Sequence, residues 1–207
     1  ADIIHLHWIN QGFISIKGLS KLFKLNKPVV WTLHDMWSFT GGCHYAGDCD
    51  NYEHFCGFCP FINEPALNDL SNQQYIKKAR AYQGSNLNVV TCSNWLRGLA
   101  SEASLLKDFP VISIPNPIET DVFCPGSQQE ARERLKLPAD KKIILFGAAN
   151  VSDPRKGMSH LIYALNQMAK EVSRDKVDLV VFGKTPDSLP EQFPYPVHLM
   201  HYIHSRD

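Results

Sequence analysis

"KIILFGAANVSDPRKGMSHLIYALNQMAKEV", residues 142–172, decides the fold. The apolar run from Ile143 to Phe146 ends at Gly147 and reads as a buried strand. A turn rich in Asn, Ser, Asp and Pro follows. Beyond it Leu161, Ile162, Leu165, Met168 and Val172 share one face of a helix over 157–172. The next apolar run, "VDLVVFG" (177–183), is a second strand, and "HLMHYI" (198–203) offers a third. Strands alternating with helices predict parallel βαβ units.

The same rhythm fills the first half. "IIHLH" (3–7) and "PVVWTL" (28–33) are strands, and between them Ile16, Leu19, Leu22 and Phe23 mark a helix. A helix over 71–82, the strand "LNVVT" (87–91), a helix N-capped by Ser93 and the strand "VISI" (111–114) complete it. "PNPIETDVFCPGSQQ" (115–129) has three prolines and no period, so it reads as a crossover before a short helix near 129–136. The fold class is therefore α/β, with two Rossmann-like pieces on parallel sheets, 1–125 and 126–207. Both are incomplete: a doubly wound lobe has about six strands, against about four in the first piece and two or three in the second.

Bulk composition narrows the function. The 21 basic and 21 acidic residues cancel, which gives no support for a nucleic-acid partner. No stretch reaches the roughly 20 apolar residues of a membrane span. The start, "ADIIHLHW", lacks both an initiator Met and the pattern of a signal peptide, so the chain is expected to begin inside a domain and to reside in the cytoplasm.

Three places hold candidate chemistry. The first is the turn 147–157, at the carboxyl end of a strand and the start of a helix, where α/β sheets bind ligands. Free N–H groups there, the cations Arg155 and Lys156, and Gly157 for close backbone approach make a phosphate-binding corner. It is not a P-loop, and the plainer reading is a solvated Arg-Lys pair. The second is "WTLHD" (31–35), where His34 follows a strand and can hydrogen-bond a ligand hydroxyl or exchange a proton. Asp35 beside it serves as a cap or a ligand. His7 shares a strand face with His5, and Trp8, Trp31 and Trp37 offer rings for stacking, Trp31 reading rather as core.

The third is the long loop 34–70, which holds four of the six cysteines within 41–60: Cys43, Cys49, Cys56 and Cys59, as C-x5-C-x6-C-x2-C. Four thiolates suit a closed, structural zinc site, with His44 and His54 as substitute ligands. The loop is expected to have no core of its own, so a metal would order it. Free or partly oxidised thiols and a redox or iron–sulfur role stay open. Cys92 and Cys124 read as small buried hydrophobes.

"ADIIHLHW", "VVWTLHDMWSFTGGCHY", "TCSNWL", "IPNPIETDVFCP" and "RKG" occur in this order along nearly the whole chain. Together they resemble retaining glycosyltransferases of the GT-B fold, family four type, in bacterial surface-polysaccharide biosynthesis. The resemblance implies two lobes: 1–125 as part of the acceptor-side lobe and 126–207 as part of the donor lobe. It implies a nucleotide-sugar donor whose diphosphate is held by Lys156, with Arg155 and Gly157 beside it. It places His34 next to the transferred sugar in a positioning role, with His7, Asp35 and Trp37 on the acceptor or sugar side. The acceptor would be a glycan or a lipid-linked glycan, with peripheral membrane association in the second case. No metal would be needed for catalysis. The family's Arg after the strand's glycine is replaced here by Ala148 and Ala149, and its Glu-(seven residues)-Glu element and Gly-rich first loop are not present. On that ground the 207 residues alone are expected to be inactive. The alternative reading is an inactive, zinc-stapled binding module.

Overall fold

The computed structural model describes residues 1–203; positions 204–207 of the expected second piece lie outside the described residues. The chain divides into two compact units, one ending at Pro117 and the other beginning at Ile118. Each is α/β, built on its own parallel sheet.

The first unit runs β1 (Ile4–Leu6), α1 (Ile16–Phe23), β2 (Val29–Leu33), α2 (Leu70–Tyr82), β3 (Leu87–Thr91), α3 (Asn94–Glu102) and β4 (Val111–Ser113). The strands lie in the order β1-β2-β3-β4, all parallel, with Leu6 opposite Trp31 and Trp31 opposite Val89. Parallel pairing brings every strand's carboxyl end to one edge, so the segments after β1 and β2 emerge side by side. Ser93 caps α3 as its sequence predicts, accepting the Leu96 N–H at 3.2 Å.

The core lies between this sheet and its helices. Tyr82, at the end of α2, sits at its centre and meets Phe23 and Trp31 edge to face at 5.9 and 6.0 Å. Its hydroxyl donates to the Ser38 carbonyl at 2.6 Å. The long loop departs from expectation here. Met36, Phe39, Ala46, Tyr52 and Cys56 are buried in the same cluster as the strands, so the loop shares the main core. Its polar anchor is Asp69, the N-cap of α2. Asp69 accepts from the amides of Asn72 (3.1 Å) and Cys59 (2.9 Å) and from the Ser71 hydroxyl (2.6 Å).

The second unit runs α4 (Gln128–Leu135), β5 (Lys142–Asn150), α5 (Met158–Met168), β6 (Val177–Lys184) and β7 (Val197–His201), with sheet order β5-β6-β7. Central β6 is buried on both faces, which is why it reads as a nearly continuous apolar run. Asp178 within it is held between Lys141 at 2.8 Å and His198 at 2.7 Å. Helix α5 is shorter than its apolar period suggests: it ends at Met168, and Val172 packs on the core from the turn beyond. Two register shifts, at Ala148/Asn150 and Val181/Phe182, bend the sheet around Gly183. Gly183 has φ +111°, and a Cβ there would lie 1.7 Å from the Ala148 carbonyl oxygen.

Gly183→Ala should therefore abolish folding of the second unit, whereas Gly98→Ala, on an open face of α3, should stabilise the first by up to ~1 kcal/mol. Urea unfolding followed by circular dichroism checks both. Asp69 yields a pH prediction. The Cys59 amide, and after it the Ser71 hydroxyl, hold its carboxyl below the usual range. Its contribution to stability is complete above the unfolded-chain value of ~3.9 and is lost as pH falls through the lower folded value. Asp69→Asn should flatten the loss of stability between pH ~5 and ~2, read from urea midpoints across that range.

Candidate functional site

At the carboxyl ends of β1 and β2, His7, Trp8, His34, Asp35, Trp37 and Ser38 line one cavity. The shared face follows from the pleat. His5 and His7 alternate with buried Leu6, while Thr32 and His34 alternate with buried Leu33. His5 Nε2 lies 2.8 Å from Thr32 Oγ1, and His7 Nδ1 lies 3.2 Å from His34 Nε2. The three imidazoles form a column, with ring centroids 4.4 Å apart for His5–His7 and 5.5 Å for His7–His34. Between His7 and His34 one ring donates and the other accepts. The cavity measures about 10 Å³, room for a water at most. A larger ligand would have to lie over this surface, against the exposed His34. The Ser38 hydroxyl in the cavity wall is buried and has no protein partner.

Asp35 organises the rim. Its Oδ1 accepts the Trp37 amide at 2.9 Å; its Oδ2 accepts the Trp8 indole N–H at 2.9 Å and meets His44 Nδ1 at 2.8 Å. Both carboxylate oxygens are thus occupied from within the protein. His44, a substitute metal ligand by sequence, stands here and not with the cysteines. Trp31 is core: it is buried, with its indole N–H bonded to the His7 carbonyl at 2.9 Å.

Behind the rim lies a group that sequence reasoning missed. Lys78, on α2, is fully buried. Its ammonium donates to the carbonyls of Trp37 and of Thr40, the latter at 2.9 Å, and sits 3.6 Å from the Trp37 ring centroid. Burial pulls its pKa down to about 7, opposed by the charges of Cys56, Cys43 and Asp35. "IKKARAY" gives no sign of which lysine turns inward, because the receiving carbonyls lie about forty residues upstream.

Cys43, Cys49, Cys56 and Cys59 line a second small cavity together with Thr40, Tyr52 and Ser71. All four are free thiols. Burial pushes Cys56 up to about 11 and raises Cys43 as well. Cys92 packs partly buried against the core, but Cys124 is exposed, contrary to expectation, because the proline-rich crossover has no core around it.

In the second unit the turn after β5 is built as its sequence suggests. Asp153 accepts the Arg155 amide at 3.0 Å, and Pro154–Lys156 form a 3-10 turn. Gly157 then opens α5 with φ +79°. Its space is open, a Cβ meeting only His160 at 3.9 Å, so within the protein it is the left-handed backbone that favours glycine. Arg155 is tied back to Asp153 through Nε at 3.0 Å and Nη2 at 2.6 Å, which holds that carboxyl at about 2. Lys156 is exposed and, among the described residues, makes no ion pair. Of the two cations it is the one poised for an outside anion.

The chain is similar to a glycosyl transferase. Over a 226-residue alignment it is 28% identical to the "Putative colanic acid biosynthesis glycosyl transferase WcaC" of Escherichia coli (strain K12), covering 85% of this chain and 55% of that protein. The chain thus spans about half the length of the curated relative it matches. No protein-family model matches the sequence. Among the described residues no helix is long and apolar enough to cross a membrane.

Asp35→Ala should free Trp8 and His44 together and cost about 1.5–3 kcal/mol, as expected for hydrogen bonds to a charged group. Trp8 emission and the urea midpoint of the first unit report the two effects.

Proposed function

We propose that this chain belongs to an enzyme that transfers a sugar, with retention, from a nucleotide-diphosphate sugar to a glycan or lipid-linked acceptor in polysaccharide biosynthesis. The observation that carries the reading is the turn 153–157, which lies between β5 and α5 and, among the described residues, leaves Lys156 without an ion pair. The similarity to a glycosyl transferase supports the general class.

The chemistry follows from charge. Departure of a nucleoside diphosphate builds negative charge on its phosphates. The Lys156 ammonium and the free amides at the start of α5 would stabilise that charge. Arg155, anchored to Asp153, shapes the turn. In the first unit, His34 would offer a ring nitrogen to a sugar hydroxyl, held in place by His7. Trp37 would give the sugar an apolar surface, and Asp35 would hold Trp8 and His44 around it. His34 is assigned to positioning, not to covalent attack.

The second reading, an inactive binding module stapled by a metal, is favoured by the cluster of four thiols. Nucleotide binding separates the two. Titration calorimetry with uridine and guanosine diphosphates should show saturable binding that Lys156→Ala weakens at least about tenfold, the scale of one charge-assisted hydrogen bond. Arg155→Ala should weaken it less, and His34→Ala should leave it unchanged while slowing transfer when placed in the whole enzyme. An unaltered Kd in Lys156→Ala would sink the phosphate assignment.

A further inference from the structure

We propose that the face made by α1 and the second half of α2 is a docking surface for a lipid bilayer that carries anionic phospholipid. Three observations converge on it.

The first is the distribution of charge. The 21 basic and 21 acidic residues cancel over the whole chain but not locally. From Ile3 to His34 the only charged side chains besides histidine are Lys17, Lys21, Lys24 and Lys27. From Leu70 to Ser101 they are Lys77, Lys78, Arg80 and Arg97, again with no Asp or Glu. The segment between, 36–69, is the reverse: Asp48, Asp50, Glu53, Glu64 and Asp69, with no Lys or Arg. Helices α1 and α2 pack against each other. Their pairing gathers Lys17, Lys21 and Lys24, a stripe at helical spacing, beside Lys77 and Arg80. All five are exposed, as is Lys27, and among the described residues none makes an ion pair. Asp108 lines a neighbouring groove with Arg80 but does not pair with it. Like charges three and four apart on one helix repel each other, and an outside anion relieves them.

The second is a groove. Lys24 and Arg80, near the ends of α1 and α2, line an open groove of about 240 Å³ together with Ser20, Asn26, Gln83 and Ser85. None of its lining residues is acidic. Two cations with neutral hydrogen-bonding groups beside them suit the phosphodiester of a lipid headgroup.

The third is a pair of apolar side chains that a purely ionic partner would not use. The Phe13 amide donates to the Asn10 carbonyl at 3.3 Å across a tight turn, with Gln11 at φ +54° and Gly12 at φ +85°. That turn holds Phe13 75% exposed at the entry to α1, and Leu25, just past its exit, is 62% exposed. Apolar side chains at both ends of a lysine stripe match a bilayer interface, where they enter the acyl boundary and the ammonium groups stay among the phosphates. Duplex nucleic acid would engage the cations alone.

The inference goes beyond sugar transfer, because docking requires no reaction. It also gives that reading a direction. Phe13 lies on the segment that leaves β1 at the edge holding His34, so the docked face begins beside that edge. A lipid-linked acceptor would reach His34 along the bilayer surface.

The test uses the whole chain with vesicles of phosphatidylcholine, alone or mixed with phosphatidylglycerol, and reads bound protein by flotation. Binding should require the anionic lipid. It should fade between about 0.1 M and about 1 M salt, as the Debye length falls from ~10 to ~3 Å. Lys17→Glu, Lys21→Glu and Lys24→Glu together should weaken it at least about tenfold, and Phe13→Ser severalfold. The same reversals at Lys142, Lys170 and Lys176, exposed in the second unit, change net charge equally and should shift it less than about twofold. Circular dichroism confirms that each variant folds. Uridine diphosphate binding, measured on the same samples, should be unchanged in the α1 variant, so failure of docking and failure of the phosphate corner are read separately. Four results would each overturn the proposal: no binding to the mixed vesicles, equal binding to phosphatidylcholine alone, undiminished binding in the α1 variant, or a DNA oligonucleotide bound more tightly than the vesicles through the same lysines.

Discussion

Parallel pairing of β1 with β2 is the constraint on which the first unit rests. It sets Leu6 opposite Trp31 and sends both to the core. The same register turns His5, His7, Thr32 and His34 to the other face. It also delivers the segments after both strands to one edge, where Trp8 and Asp35 meet. A slip of one residue in β1 would carry His7 into the core and Leu6 into water. The site and the core are therefore two faces of one register.

A long loop can wrap that edge because its polar backbone is satisfied from beneath. Lys78 and Tyr82, one turn apart on α2, reach the carbonyls of Trp37, Ser38 and Thr40. Burying an ammonium is costly unless it is bonded and balanced. The cost is met by two carbonyls and a tryptophan face, so the loop and the helix stabilise each other. Truncating Lys78 would leave carbonyls stranded in the core, which makes this contact a condition for the loop's shape.

Much of the fold was legible in the sequence because the strands here are buried and therefore apolar. "VVWTL", "LNVVT" and "VDLVVFG" declare themselves, as do the Ser93 cap and the Asp153-Pro154 turn. Of the candidate residues, the places of His34, just after β2 in the first unit, and of Lys156, just before α5 in the second, were legible because each adjoins a strand end or a helix start. Other features depend on partners distant in sequence. His44 is drawn to the rim by Asp35, and the inward turn of Lys78 requires carbonyls from another element. The loop's share in the core was hidden because Met36, Phe39, Ala46 and Tyr52 have no period. Cys124 misled for the opposite reason: it has the chemistry of a core residue but no core around it.

The imidazole pair at the site has a further property. A neutral ring has one N–H, so if His34 donates through Nε2 to His7, its Nδ1 is a bare lone pair. If His7 donates instead, the same Nδ1 bears the hydrogen. Exchanging the two states takes a relay: as the proton on the 3.2 Å contact passes from His34 Nε2 to His7 Nδ1, His7 Nε2 gives one to solvent and His34 Nδ1 takes one, so each ring keeps a single N–H while the heavy atoms stay still. His34 can greet a hydroxyl as base or as donor, and the choice is stored one residue away, in His7.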